Sequence, residues 1–179
     1  MVRVGAGSAV TFRNAEEADV PAIALLIETC YRGEESLKGW TTEANFLDSP
    51  RTSVAEVAGI VGGPDSMMLC GESGGELVAC CELRREADWS AYMGMLSVLP
   101  ALQGRGIGRS MTEEAELTAW KEWGAAVMTL LVITRRTELI AWYERLGYTD
   151  SGNRVPFPFE TPNGLLEFAV LQKRLGDQR

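Results

Sequence analysis

A mixed α/β fold, with a central, mostly antiparallel sheet and flanking helices, is predicted by three features of the sequence. Residues 67–99 fall into three short, strand-like runs separated by turn residues, the pattern of an antiparallel meander. Residues 106–133 place a long amphipathic helix before a continuous apolar run, so the strands on either side of that helix should be parallel. The chain has 179 residues, 46% of them apolar and 23% charged, a size and balance that fit one domain with a single core.

The elements follow in order. After a leader over 1–9, rich in Gly, Ala and Val and expected to lie outside the domain of 10–179, residues 10–15 read as a strand. Residues 17–32 carry Val20, Ile23, Ala24 and Ile27 at helical spacing, and 32–36 break that helix. Residues 41–47 and 53–61 read as two short helices, the second closed by Gly62, Gly63 and Pro64. The meander strands are 67–71, 76–85 and 92–99, the first two joined through Ser73, Gly74 and Gly75. The helix over 106–123 has its seam at Ile107, Met111 and Ala115, with Glu113, Glu114 and Glu116 expected to face away, and Gly124 ends it. Residues 126–133 read as a strand buried on both faces, and 137–146 as a helix closed by Gly147. A final strand pair, 148–159 and 165–175, is joined by 160–164.

Charge narrows the function. There are 17 Lys and Arg against 25 Asp and Glu, a net charge of −8, where nucleic-acid binding ordinarily needs a basic balance. The chain contains no His, which removes imidazole metal sites and His general bases together. No metal is expected, and acid–base chemistry falls to carboxylates, Tyr, Lys or water. Cys30, Cys70, Cys80 and Cys81 lie in apolar stretches without C-x-x-C spacing and read as reduced and buried. No run approaches the roughly 18 apolar residues of a membrane span, and no signal peptide is visible, so a cytoplasmic protein without membrane contact is expected.

The segment that carries chemistry runs from Gly94 to Arg109, a strand leading through a glycine-rich turn into a helix. Glycines turn the backbone sharply and leave its N–H groups uncovered, and a helix N-terminus adds roughly half a positive charge, which together make an anion cradle. The dinucleotide pattern would need Gly where Arg109 stands, and the phosphate-loop Gly-Lys-Ser/Thr is missing. What fits is Q-x-x-G-x-G, here Gln103, Gly106 and Gly108, after L-x-V-x-P, here Leu96, Val98 and Pro100. Together they resemble the coenzyme A motif of the GNAT N-acetyltransferase superfamily. Downstream, Glu138 to Tyr148, with Tyr143 and Gly147, is similar to that family's A-x-x-x-Y-x-x-x-G-F/Y helix and following strand. The element order agrees with a GNAT acyl-CoA N-acyltransferase fold, so the resemblance covers nearly the whole chain.

The resemblance implies acetyl-CoA as cosubstrate. Leu96, Ser97 and Val98 would offer backbone groups to its pantetheine arm, and the stretch Gln103, Gly104, Arg105, Gly106, Ile107, Gly108 and Arg109 would hold its pyrophosphate. Tyr143 matches the residue that protonates the departing thiolate in many members. Two positions depart from the pattern: Arg136 stands where an Asn is frequent, and Leu99 where an Asp is frequent. Arg135 or Arg136 is then a candidate partner for a phosphate. The candidate base is Glu82, an acid on an otherwise apolar strand face with Val78 and Cys80. Tyr31, Glu35, Trp40 and Glu43 are candidate acceptor contacts, with Phe157 as a further aromatic.

The activity implied is direct transfer of an acetyl group, in a ternary complex, to a primary amine of a small molecule. The alternatives are a protein or peptide N-acetyltransferase and a non-catalytic coenzyme A-binding regulatory domain. A monomer and a homodimer are equally compatible with the sequence, and amino acids, polyamines, aminoglycosides and peptides all remain as acceptors.

Overall fold

A computed structural model describes residues 9–39, 42–44, 47, 49–158 and 164–176. Strand β1 (Thr11–Asn14) leads through a single 3₁₀ turn (Glu17–Asp19) into helix α1 (Val20–Tyr31), followed by the one-turn α2 (Gly33–Ser36) and by α3 (Val54–Val61). The meander is β2 (Ser66–Ser73), β3 (Glu76–Arg85) and β4 (Ser90–Val98). Helix α4 (Ile107–Trp123), β5 (Val127–Ile133), α5 (Thr137–Arg145), β6 (Thr149–Pro156) and β7 (Glu167–Arg174) complete the order. The described strands form one sheet in the order β1-β2-β3-β4-β5-β7-β6. Only the β4–β5 pair is parallel, as the intervening helix requires.

Two cores lie on opposite faces of the sheet. On one, Met111, Ala115 and Ala119 of α4 and Tyr143 of α5 pack against Cys81, Leu83 and Met93. On the other, Ile23, Ile27 and Cys30 of α1 and Val57 of α3 pack against Met68, Cys70 and Cys80. All four cysteines are free and buried.

Several expectations are corrected. The first helix begins at Val20, with Pro21 in its first turn, and the residues before it form the tighter 3₁₀ turn. Within 41–47, Thr41, Asn45 and Phe46 lie outside the described residues, as do Trp40, residues 1–8 of the leader and 159–163 of the last connection. The described residues 42–44 and 47 form no helix, although the Leu47 N–H donates to the Glu43 carbonyl at 3.1 Å. β5 is enclosed on one face only: Met128, Leu130 and Val132 pack into the α4 core, while Val127, Thr129 and Leu131 on the other face are half-buried. Val78 does not share a face with Glu82. A register shift between Gly71 and Glu72 of β2 resets the alternation opposite it, and Val78 joins the cluster of Cys81 and Leu83.

Glu116 does not face away from the core. It is 6% exposed and accepts from the Tyr148 hydroxyl at 2.9 Å and from Lys173 Nζ at 2.6 Å. The helical seam predicted its exposure, but Tyr148 and Lys173 bring polar partners to that side from elsewhere in the chain.

Candidate active site

The site begins where the sheet comes apart. β4 and β5 pair at Ser90, Ala91 and Tyr92 against Val127, Met128 and Thr129, and then diverge although both strands continue. The divergence coincides with a bulge in β4. Two steps along β3, from Cys80 to Glu82, are matched by three along β4, from Gly94 to Ser97. The extra residue is accommodated at Met95, which adopts a left-handed φ of 50°, a conformation that costs a non-glycine residue about 1 kcal/mol. Burial of Met95 in the α1 core holds it there. Beyond Tyr92, the backbone groups of β4 that point toward β5 have no strand partner. Tyr31 of α1 donates its hydroxyl to the Leu96 carbonyl at 2.9 Å, tying α1 to the bulged strand.

On one side of this opening lies a cavity of about 370 Å³, which runs from the strand to the start of α4. Leu96, Val98, Gln103, Gly104, Gly106, Gly108 and Arg109 line it. Gln103 Nε2 donates to the Val98 carbonyl at 3.0 Å, so the motif glutamine clamps the loop onto β4. Gly106 precedes the helix at a φ of 86°, which only glycine adopts without strain, and no side chain caps the first turn. The leading N–H groups of α4 therefore have no intrahelical acceptor. Three residues of the predicted cradle do not line the cavity. Ser97 is fully buried with its hydroxyl on the Met95 carbonyl at 3.0 Å. Arg105 is exposed, and Ile107 packs into the α4 core because its side chain points back along the helix.

The second cavity, of about 440 Å³, lies under the loop before α3 and against the diverging strands. The two cavities share Tyr31, Leu96, Arg136, Leu139 and Tyr143 as lining residues, so they meet at the bulge. Tyr143 is 6% exposed, edge-on to Trp142 at 4.8 Å and to Tyr148 at 5.5 Å. Desolvation pushes its phenol above the ordinary range, so it stays protonated.

Glu82 sits across from Gly94 in register, 6% exposed. Its one hydrogen bond among the described residues is the distant Arg84 Nη1 at 3.5 Å. Burial raises its pKa above the glutamate value of 4.5, opposed by the charges of Arg84 and Arg51. A Cβ on Gly94 would come within 2.6 Å of Tyr92 Cε1 and 2.9 Å of Glu82 Oε2. The absent side chain makes room for the Tyr92 ring and the Glu82 carboxylate, and Glu82 itself lines neither cavity but lies behind Gly94 and Tyr92 of the second one's wall.

Of the candidate acceptor contacts, Tyr31 and Glu43 line this second cavity, Glu43 in an ion pair with Arg32 at 3.1 Å. Phe157 lines it too. Glu35 does not: it is exposed, paired with Lys38, and lines neither cavity, because α2 turns it outward. Trp40 lies outside the described residues. Arg136, weighed as a phosphate contact, is 3% exposed and borders both cavities. Arg51, Tyr92 and Gly94 were not foreseen; a glycine inside a strand was the one local signal that pointed to this wall. Among the described residues no group of three His, Cys, Asp or Glu side chains is placed to hold a metal ion, and no helix is long and apolar enough to cross a membrane.

This architecture is shared. Residues 64–150 match the family model of the acetyltransferase (GNAT) domain. The ribosomal-protein-S18-alanine N-acetyltransferase of Escherichia coli superposes with a TM-score of 0.72 at 19% identity, covering 96% of this chain and 99% of that one. A mutant spermidine N-acetyltransferase from Vibrio cholerae gives 0.70 at 16%, over 93% and 94% of the two chains. A putative acetyltransferase from Salmonella typhimurium, solved with acetyl-CoA, gives 0.66 at 20%, over 96% and 97%. No curated protein sequence matches the chain. At these identities the structural likeness is one of fold. The matched region holds both motif segments, the bulged strand and Tyr143. The chain is thus similar over residues 64–150 to the acetyltransferase (GNAT) domain, and over nearly its whole length it shares the fold of GNAT N-acetyltransferases.

Proposed function

We propose that the protein moves an acetyl group from acetyl-CoA to the primary amine of a small molecule by direct transfer in a ternary complex. The observation that carries this reading is the meeting of two cavities at the bulge of β4, with Tyr143 on the shared wall; Glu82 lies behind Gly94 of the second cavity's wall. One cavity fits a thin arm ending at a helix N-terminus, and the other fits a compact acceptor. Its volume of about 440 Å³ suits a small molecule.

Each group has a task. The first-turn N–H groups of α4, with the Gly104 and Gly106 backbone, hold the pyrophosphate. The unpaired edge of β4 at Leu96 and Val98 orients the pantetheine arm and offers backbone N–H groups to the thioester oxygen. Acetyl-CoA supplies an acyl group activated as a thioester. Glu82, directly or through a water, takes the proton from the acceptor ammonium, and its raised pKa brings it closer to the working pH of a base. Tyr143 Oη holds the proton for the leaving sulfur. A phenol is a weaker acid than a free thiol, yet the burial that raises its pKa equally strengthens a thiolate set free beside it. The buried free cysteines suit a reducing, cytoplasmic setting.

The test is calorimetric titration with acetyl-CoA, with NADH as comparator, followed by an amine-dependent assay of coenzyme A release. Saturable binding of acetyl-CoA that weakens with salt, and release stimulated by an amine, is the expected result. Absence of binding at millimolar acetyl-CoA overturns the reading. Binding with only slow, amine-independent acetyl loss would identify a regulatory domain instead.

A further inference from the structure

We infer that the acceptor is a primary amine carrying its own carboxylate, of the amino-acid class, and that the Arg51 guanidinium binds that carboxylate. This rests on the transferase reading above and specifies its second cavity.

The backbone at Arg51 is pinned. The N–H groups of Arg51 and Thr52 both donate to Glu28 Oε1, at 2.5 and 2.8 Å. The side chain enters the second cavity, with its guanidinium 5.2 Å from the centre of the Tyr31 ring. Its nearest carboxylate is Glu43 Oε2, at 3.9 Å from Nε, and that oxygen already takes the 3.1 Å bond from Arg32. The Arg51 guanidinium makes no hydrogen bond to the described residues. Five N–H donors in a planar fork are thus presented to the cavity, a geometry matched to a carboxylate. Only 26% of the side chain is exposed, so solvent satisfies those donors poorly and a ligand oxygen gains by replacing it.

The charges around the cavity agree. Arg32, Arg51 and Arg136 line it against Glu43 and Glu56; Arg32 is spent on Glu43, and Glu56 accepts the Thr52 hydroxyl at 2.9 Å. A polyamine or an aminoglycoside, cationic at several places, would meet a guanidinium whose one ion pair, to Glu43 at 3.9 Å, is long and shared with Arg32. Glu82 supplies the opposite pole behind Gly94, near enough to Arg51 for each to feel the other's charge. A molecule with an ammonium facing Glu82 and a carboxylate facing Arg51 satisfies both poles at once. The apolar wall of Leu131, Phe157 and Phe168 leaves room for a side chain.

The experiment measures coenzyme A release by the wild-type enzyme with L-methionine and L-phenylalanine, with the carboxamides of both, and with spermidine. Acetyl-CoA titration is run alongside. The expected kcat/KM for the better amino acid exceeds that of its carboxamide by on the order of tenfold to 10²-fold, with spermidine slowest. In Arg51→Gln that ratio collapses toward one, chiefly through KM, and Arg51→Lys recovers part of it as a point charge. Carboxamides or spermidine preferred by the wild type, no amino acid accepted, or a ratio unchanged in Arg51→Gln would overturn the inference. The wild-type comparison and Arg51→Lys decide the matter if Arg51→Gln does not fold. Where acetyl-CoA binds and some other amine is acetylated, the transferase reading survives and only the carboxylate inference fails. Where acetyl-CoA does not bind, both fall.

Discussion

Two glutamates, Glu82 and Glu116, are equally buried, each 6% exposed, and their surroundings differ in kind. Glu116 has a partner for each oxygen: the Tyr148 hydroxyl on one and Lys173 on the other, with Lys173 also stacked over the Tyr148 ring at 5.6 Å. Glu82 has one stretched contact to a half-exposed arginine and lies against Gly94, where a side chain would not fit. A carboxylate enclosed by matched donors ties α4 to β7 and to the turn before β6. A carboxylate enclosed without them is held in a costly state that only a ligand relieves. That contrast, more than burial, is what favours Glu82 over Glu116 for the proposed role of base.

The largest effect that can break the comparison is on turnover. Glu82→Gln is expected to lower kcat/KM by about 10³-fold, read in a coenzyme A release assay across pH. The acidic limb of the wild-type profile should lie above the glutamate value of 4.5 and vanish in the variant. Stability should move the other way. A carboxylate whose folded pKa is raised destabilises the fold progressively as pH climbs through its unfolded value, and has no effect below it. Glu82→Gln should therefore be more stable than wild type near neutral pH, with the gain gone below about pH 4 in urea titrations. A less stable, fully active variant would reverse the assignment.

Glu116→Ala should show the opposite pattern. Leaving Lys173 and Tyr148 unpaired is expected to cost about 2–3 kcal/mol of unfolding free energy, the low end because Lys173 keeps 18% of its side chain in solvent. Its kcat/KM should match wild type at temperatures where it stays folded. Tyr143→Phe is expected to lower kcat by about 10²-fold, and full turnover over the whole pH range would remove the tyrosine from the acid role. The smallest effect sharpens the Glu82 side. Gly94→Ala puts a Cβ within 2.9 Å of Glu82 Oε2, and should raise the acceptor KM by about tenfold while acetyl-CoA titration is unaffected.

Glu82 was legible in the sequence because an acid inside an apolar strand is visible locally. Glu116 was not, since its helical spacing predicts exposure and its partners lie 32 and 57 residues away in sequence. The same distinction runs through the site. Gln103, Gly106 and Gly108 form a contiguous pattern, and the structure sets them along one cavity. Ser97, Arg105 and Ile107 belong to the same stretch, but which way each side chain turns depends on the packing of β4 and α4. Arg51 and Tyr92 carry no local mark: the β3–β4 register brings Tyr92 beside Glu82, and the fold of the loop before α3 brings Arg51 into the same cavity.

The sequence by itself determined the order of the main strands and helices, the parallel pair around α4, and the glycine-rich turn into α4, because periodicity, glycine placement and helix ends act over a few neighbouring residues; the expected helix over 41–47 and the one-turn α2 were not determined by it. Tertiary structure alone decided the insertion of β7 between β5 and β6 and the opening of β4 from β5 at Met95. It also decided which of two buried acids has a partner for each oxygen and which arginines line the second cavity. Those outcomes are set by contacts between residues far apart in the chain, where register, burial and charge balance emerge only when the sheet and its two cores form together.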